Sequence, residues 1–190
     1  MIGVEEHMAE VDHHERIERA RSGDERAWAE IVERLGPRIL GYARGKGIAD
    51  ADDVVQDVFL AAARRIGDFE GTWSNFRSWI FSIAYRQIVD RYRRSGREDA
   101  SLPRVLVDDL DPGPADEVVD REAASDAVRA LDVLSGDERD VVLLRVVAGL
   151  ETAEVAEAVG KRPGTVRVVQ SRALDKVRAE LRRRGYGELR

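Results

Sequence analysis

The chain has no cysteine among its 190 residues, so disulfides, thiol switches and cysteine zinc sites are excluded. Histidine is nearly as scarce. His7, His13 and His14 crowd into a polar N-terminal stretch without a carboxylate–histidine spacing, which offers neither a metal set nor a general base. No apolar run approaches the roughly 20 residues that span a bilayer. The acidic start also lacks the basic and apolar parts of a signal peptide, so no membrane insertion and a cytoplasmic location are expected. A Gly-rich phosphate loop after a strand is missing too, which argues against an enzyme and leaves no cofactor or small-molecule substrate to expect. Neither strand alternation nor a long-period repeat is present.

What is present is helical periodicity and charge sorted by segment. The net charge of −6 hides two basic blocks. Lys161 to Arg184 holds nine bases against Asp175 and Glu180, a net of +7, and Arg86 to Arg97 holds five arginines against Asp90, a net of +4. Between them, Glu98 to Asp126 carries ten acids and only Arg104 and Arg121, a net of −8. Pro103, Pro112, Gly113 and Pro114 make residues 98–120 a linker composition. Residues 1–15 have five acids and neither lysine nor arginine, which predicts a mobile tail. The expected fold is all-α. Two small helical domains, 16–97 and 121–184, are joined by the flexible acidic linker 98–120, with a short tail at 185–190.

In the first domain, Trp28, Ile31, Val32 and Leu35 recur at helical spacing, and Gly36-Pro37 either breaks that helix or is absorbed as a kink. Asp50 stands at an N-cap position before a helix that turns Val54, Val55, Val58, Phe59, Ala62 and Ile66 inward and Asp53, Gln56 and Asp57 outward. A loop, Gly67 to Asn75, precedes a helix whose apolar side holds Trp79, Ile80, Ile83, Ala84, Val89 and Tyr92 and whose far end is the arginine block. Phe76 and Trp79 fit the inward stripe.

In the second domain, Ala123 to Leu134 resumes a helical pattern. Ser135 and Glu138 then form a capping box for a helix through Val147, ended by Gly149. Glu151 to Leu181 reads as two helices joined by a tight turn, with Gly160 at a left-handed cap and Pro163 in the first turn of the second helix. On a helical wheel Val166, Val169, Ala173, Leu174, Val177 and Leu181 share one arc. Arg167, Val168, Ser171, Arg172 and Lys176 share the opposite one. Arginine can pair with guanine edges, serine can donate or accept, and an exposed valine suits a thymine methyl, so this is a helix-turn-helix aimed at duplex DNA.

The order of these parts resembles the extracytoplasmic-function (group IV) sigma factors of bacterial RNA polymerase, in the sigma-70 family. The resemblance is carried by DADDVVQDVFLAAARRI (50–66), DFEGTWSNFRSWIFSIAYRQIVDRYRR (68–94), LSGDERDVVLLRVVAGL (134–150) and the helix-turn-helix. It implies that Asp53, Gln56 and Asp57 dock on core RNA polymerase, although the same acids also suit a solvated helix N-terminus. It implies that Phe69, Trp73, Asn75, Arg86, Arg91, Arg93 and Arg94 bind the non-template strand of the minus-10 promoter element. Aromatic and amide groups would hold bases there and arginines the phosphates. Arg167, Val168, Ser171, Arg172 and Lys176 would enter the major groove of the minus-35 element. A cognate anti-sigma factor is a further implied partner, and the linker would thread the polymerase cleft or serve as a plain spacer. The rival reading is an autonomous helix-turn-helix regulator that binds duplex DNA without polymerase.

Overall fold

The computed structural model describes residues 13–94 and 129–186. Among the described residues every regular element is a helix. The first, α1, covers 13–21, which corrects the predicted tail boundary at residue 15. Ile17 and Ala20 are buried in the core, and Arg16 reaches Glu30 at 2.6 Å, so this stretch has packing to hold it helical. The earlier part of the tail, the acidic linker 98–120, the opening of the helix expected from Ala123, and residues 187–190 lie outside the described residues.

Helix α2, Glu25–Gly45, starts at Asp24, whose carboxylate accepts the N–H groups of Arg26 at 2.8 Å and Ala27 at 3.3 Å. The Arg19 side chain and the Ala27 N–H hold that carboxyl below its ordinary range. Pro37 is absorbed within this helix. A proline inside a helix costs about 3 kcal/mol, here offset by the packing of Ile31, Leu35, Ile39 and Tyr42, all fully buried. Val32, by contrast, is exposed.

Helix α3 is Ala51–Arg65. Asp50 does occupy its N-cap position, but the side chain makes no capping bond, and one carboxylate oxygen lies 3.8 Å from Arg91 Nε. Val54, Val58, Phe59 and Ala62 are buried as the spacing predicted, and Val55 is half-buried. A 3-10 turn, Ile66–Asp68, leads through a short loop to α4, Trp73–Arg94. Trp73 and Asn75 therefore stand on the first turn of a helix and not in the predicted loop.

In the second domain a 3-10 turn, Leu131–Val133, precedes α5, Gly136–Val146. Ser135 and Glu138 form the predicted reciprocal capping box. Helix α6, Thr152–Val159, ends on Gly160 in the left-handed conformation at φ 67°. Helix α7, Pro163–Arg183, begins with Pro163 in its first turn.

The two domains share one hydrophobic core, in which Leu143, Leu144, Leu150 and Val155 join the cluster built by α2, α3 and α4. Two glycines make the approach possible. A β-carbon on Gly41 would lie 2.6 Å from Val147 Cγ1, and one on Gly45 would lie 2.6 Å from Leu143 Cδ2.

Candidate nucleic-acid interface

Helix α7 buries only Val166 and Ala173. Val169, Leu174, Val177 and Leu181 are half-buried on the same side, and Arg167, Val168, Ser171, Arg172 and Lys176 are all exposed. The wheel thus separates the two arcs as the sequence predicted. Val168, 50% exposed, is an apolar side chain left out in solvent between cations. Arg167 and Arg172 make no ion pair among the described residues, whereas Lys176 reaches Glu138 at 2.8 Å. Burial opposes ionisation of Glu138, but Lys176 and the Ser135 N–H outweigh it and hold the carboxyl below its ordinary range. One cation of the face thus braces α7 on α5, and two arginines are available to a polyanion.

The loop before α4 surrounds a cavity of about 350 Å³, lined by Arg65, Asp68, Phe69, Glu70, Asn75 and Trp79 of the first domain and by Glu157 of α6. The volume falls within the roughly 300–1,000 Å³ range of small-molecule sites, and the lining mixes two aromatics, an amide and charges. Thr72 and Asn75 form a reciprocal cap on α4. Asn75 Oδ1 accepts from the Thr72 N–H at 3.1 Å and the Thr72 hydroxyl at 2.9 Å, while Thr72 Oγ1 accepts from the Asn75 N–H at 3.4 Å. With its carbonyl engaged, Asn75 retains its NH₂ as a donor, on a residue that lines the cavity. Gly71 fixes this arrangement. Its φ of +140° is a conformation side chains rarely adopt, and a β-carbon there would meet Asn75 Cβ at 2.9 Å.

Phe69 is not free to stack on a base with its whole ring. It is buried against Phe76, with ring centroids 5.3 Å apart, and against Trp79 at 5.2 Å, so it forms a wall of the cavity. Its carbonyl is fixed by the Arg21 guanidinium of α1. Trp73 is half-buried and stacks on both Phe76 and the His13 ring, the latter at 4.7 Å and 7°. Phe76 is buried, as its spacing predicted.

The arginine block sits at the far end of α4. At a rise of 1.5 Å per residue, Arg93 is roughly 30 Å from Trp73 along the helix. Arg86, Arg93 and Arg94 are exposed. Arg91 is set apart from them, half-buried and 3.0 Å from Asp57. The structure therefore couples a residue expected at the minus-10 surface to one expected at the polymerase surface. Asp53, Gln56 and Asp57 are exposed along α3, and Leu60, 47% exposed, extends that face. Sequence reasoning passed over Leu60 because it is one apolar residue on a polar arc.

The seam between the domains holds polar groups that sequence reasoning missed. Tyr42 donates to Asp140 at 2.6 Å, and Lys46 pairs with the same carboxylate at 2.9 Å, all three buried. Burial pushes the Asp140 carboxyl up, against the pull of Lys46 and Tyr42. Further along, buried Glu154 of α6 accepts from Ser74 at 2.8 Å and lies 3.5 Å from Arg77, with its other oxygen accepting the Glu151 N–H at the start of its own helix. Arg77 also donates to the Gly149 carbonyl.

These features define a class: a two-domain helical DNA-reading protein, with an arginine-bearing helix-turn-helix in one domain and an aromatic-walled cavity at the start of α4 in the other. Residues 31–98 match sigma-70 region 2 and residues 130–179 match sigma-70 region 4. The chain is 30% identical over 174 residues to the ECF RNA polymerase sigma factor SigD of Mycobacterium tuberculosis, covering 87% of this chain and 82% of that protein. It is 33% identical over 174 residues to the RNA polymerase sigma factor CnrH of Cupriavidus metallidurans, covering 85% of this chain and 88% of that one. The solved structure of CnrH in complex with the cytosolic domain of CnrY aligns with a TM-score of 0.65 and 27% identity, covering 89% of this chain and 96% of that chain. The chain belongs to the ECF sigma factors of the sigma-70 family. It is an alternative sigma factor, a transcription initiation factor through which RNA polymerase recognises promoters.

Proposed function

We propose that the two domains divide promoter recognition between a cavity and a helix face. The first, from residue 13 to about 97, docks on core polymerase through Asp53, Gln56, Asp57 and Leu60 and takes the minus-10 non-template strand at the cavity. There an extruded base lies against Trp79 and the Phe69 wall, and the Asn75 NH₂ reads its edge. Trp73 stacks a neighbouring base in place of His13. Arg86, Arg93 and Arg94 hold phosphates further along the strand, while Arg91 braces Asp57 and so orients the polymerase-binding face. The second domain, 121–184, sets Arg167, Val168, Ser171 and Arg172 against base edges of the minus-35 duplex, with Lys176 nearer the backbone. The linker 98–120 spans the two.

The observation that carries this reading is α7, a helix of 21 residues with two buried side chains and an unbroken exposed row of DNA-competent groups. CnrH is solved with the cytosolic domain of CnrY, and by that likeness we assign this chain a cognate anti-sigma partner. It works in the cytoplasm, where polymerase is, and performs no catalysis of its own.

The test is in vitro transcription with core bacterial polymerase, the purified chain and a pooled promoter library, followed by sequencing of RNA 5′ ends. Transcripts that require both proteins and share two upstream elements are expected. Polymerase-independent binding to duplex DNA with no such transcripts would overturn the division of labour in favour of an autonomous regulator.

A further inference from the structure

The segment between α3 and α4 supplies Asp68, Phe69 and Glu70 to the cavity lining, yet Gly67 and Gly71 leave its backbone little stiffness of its own. One tie is internal, the bond of the 3-10 turn from the Phe69 N–H to the Ile66 carbonyl at 3.1 Å. Another comes from outside, from Arg21 at the C-terminal end of α1. Arg21 Nη2 donates to the Phe69 carbonyl and Nε to the Ile66 carbonyl at 3.4 Å, so one guanidinium holds the backbone on both sides of Asp68. Its remaining nitrogen, Nη1, donates to both oxygens of Glu18, at 2.6 and 2.8 Å. A planar fork of five N–H groups can serve three partners at once, which a compact ammonium on a flexible stem cannot do in fixed geometry.

The fork stands on a firm base. Ile17 and Ala20 are buried, Arg16 pairs with Glu30 of α2 at 2.6 Å, Arg19 pairs with the N-cap Asp24 at 2.8 Å, and Trp28 Nε1 donates to the Ala20 carbonyl at 3.1 Å. Helix α1 also lies ahead of residues 31–98, the stretch that matches sigma-70 region 2. Groups that tell one base from another must keep their places to within about 0.5 Å, and on a loop that precision comes from whatever holds the loop. We propose that Arg21 is a positioning residue for minus-10 recognition: from α1 it fixes the backbone of residues 66–69, and with it the selectivity of the cavity for the base it takes. The inference rests on the minus-10 reading of the cavity and deepens it.

The test is in vitro transcription by polymerase reconstituted with the full chain, on a promoter library randomised in both elements. Sequenced transcripts divided by template abundance give the base preference at each position. Asn75→Asp, which keeps the acceptor that caps α4 and loses the amide donor, is expected to flatten the preference at one minus-10 position. Arg21→Gln is expected to flatten that same position about tenfold and to leave the minus-35 preferences unchanged. Arg21→Lys, which keeps the charge and loses the fork, should flatten it as well, and Glu18→Gln, a change at an exposed residue that leaves the guanidinium in place, should do so by less. If Arg21→Gln does not assemble with polymerase, the last two variants carry the same comparison. An even fall at every position would overturn the positioning role, because a residue that only stabilises the fold or holds a phosphate lowers output without regard to sequence. Full preference in Arg21→Lys would overturn the fork. Preference kept in both Arg21 variants but lost in Asn75→Asp would overturn the inference and leave the cavity reading standing. No change in any variant would overturn the cavity reading and the inference with it.

Discussion

The first domain encloses Ile17, Ile31, Ile39, Val58, Phe76, Phe81 and Ile88 in a core built by four helices, whereas α7 of the second buries two residues along its whole length. The difference matches what each presents to DNA. A cavity needs walls fixed by packing, so Phe69, Phe76 and Trp79 are packed on each other, and Phe69 and Trp79 line the opening together with one amide and several charges. A helix that enters a groove needs the opposite, a single anchored stripe and most of its circumference free. The second domain, whose α7 adds little to the shared core, is further braced by caps and ion pairs: Ser135 with Glu138, Glu151 with Glu154, Lys161 with Asp137, Lys176 with Glu138.

Several substitutions sharpen this contrast. The largest effect is expected at the seam. Asp140→Ala leaves the Lys46 ammonium buried without its counterion, a loss on the order of 3–5 kcal/mol, and the chain can escape it by parting its domains. Calorimetry should then show the unfolding transition split into two, with the first domain the more stable; a single transition at the parent temperature would mean the domains do not depend on the pair. Next in size, Arg172→Ala is expected to cost about 1–3 kcal/mol of promoter discrimination. Its melting temperature should stay unchanged, because the residue is exposed. Equal loss on promoter and random duplex would reduce it to a phosphate contact.

A smaller effect is expected at the cavity. Gly71→Ala forces the left-handed backbone and displaces Asn75, at a cost of about 1–3 kcal/mol, and minus-10 strand binding should fall while minus-35 duplex binding stays. Unchanged strand affinity would remove Asn75 from the reading. The smallest effect concerns pH. Glu138 is ionised more easily folded than unfolded, so its contribution is fully present above the ordinary carboxylate pKa and is lost as pH falls through the lowered one. As pH falls from the ordinary carboxylate range through the lowered one, melting of the parent should decline more steeply than that of Glu138→Gln; parallel curves would show the Lys176 pair to be idle.

Much of this was legible before any coordinates, and for local reasons. Gly160, Pro163, Ser135 with Glu138 and the wheel of α7 act within one or two turns, where spacing alone determines which groups meet. The exposed acids of α3 follow from the same periodicity. What escaped was set by tertiary contacts. Phe69 looks like an available aromatic because it lies in a polar loop, and only the return of that loop onto Phe76 and Trp79 buries it. Arg91 reads as one of a block, yet its turn of α4 faces α3 and delivers it to Asp57. The helix over 13–21 has weak periodicity and is held by burial of Ile17 and Ala20. Tyr42, Lys46 and Asp140 carry no sequence signal at all, since a tyrosine and an aspartate 98 positions apart become partners only once Gly41 and Gly45 let the domains touch.

The two oxygens of Glu154 are assigned to different tasks, one to the Glu151 N–H inside its own helix and the other to Ser74 across the seam. The cap and the latch are thus separable, like a door whose hinge pin is not part of its lock. Loss of the Ser74 contact would loosen the seam between the domains and leave the start of α6 capped, so order within the helix-turn-helix and hold between the domains depend on different atoms.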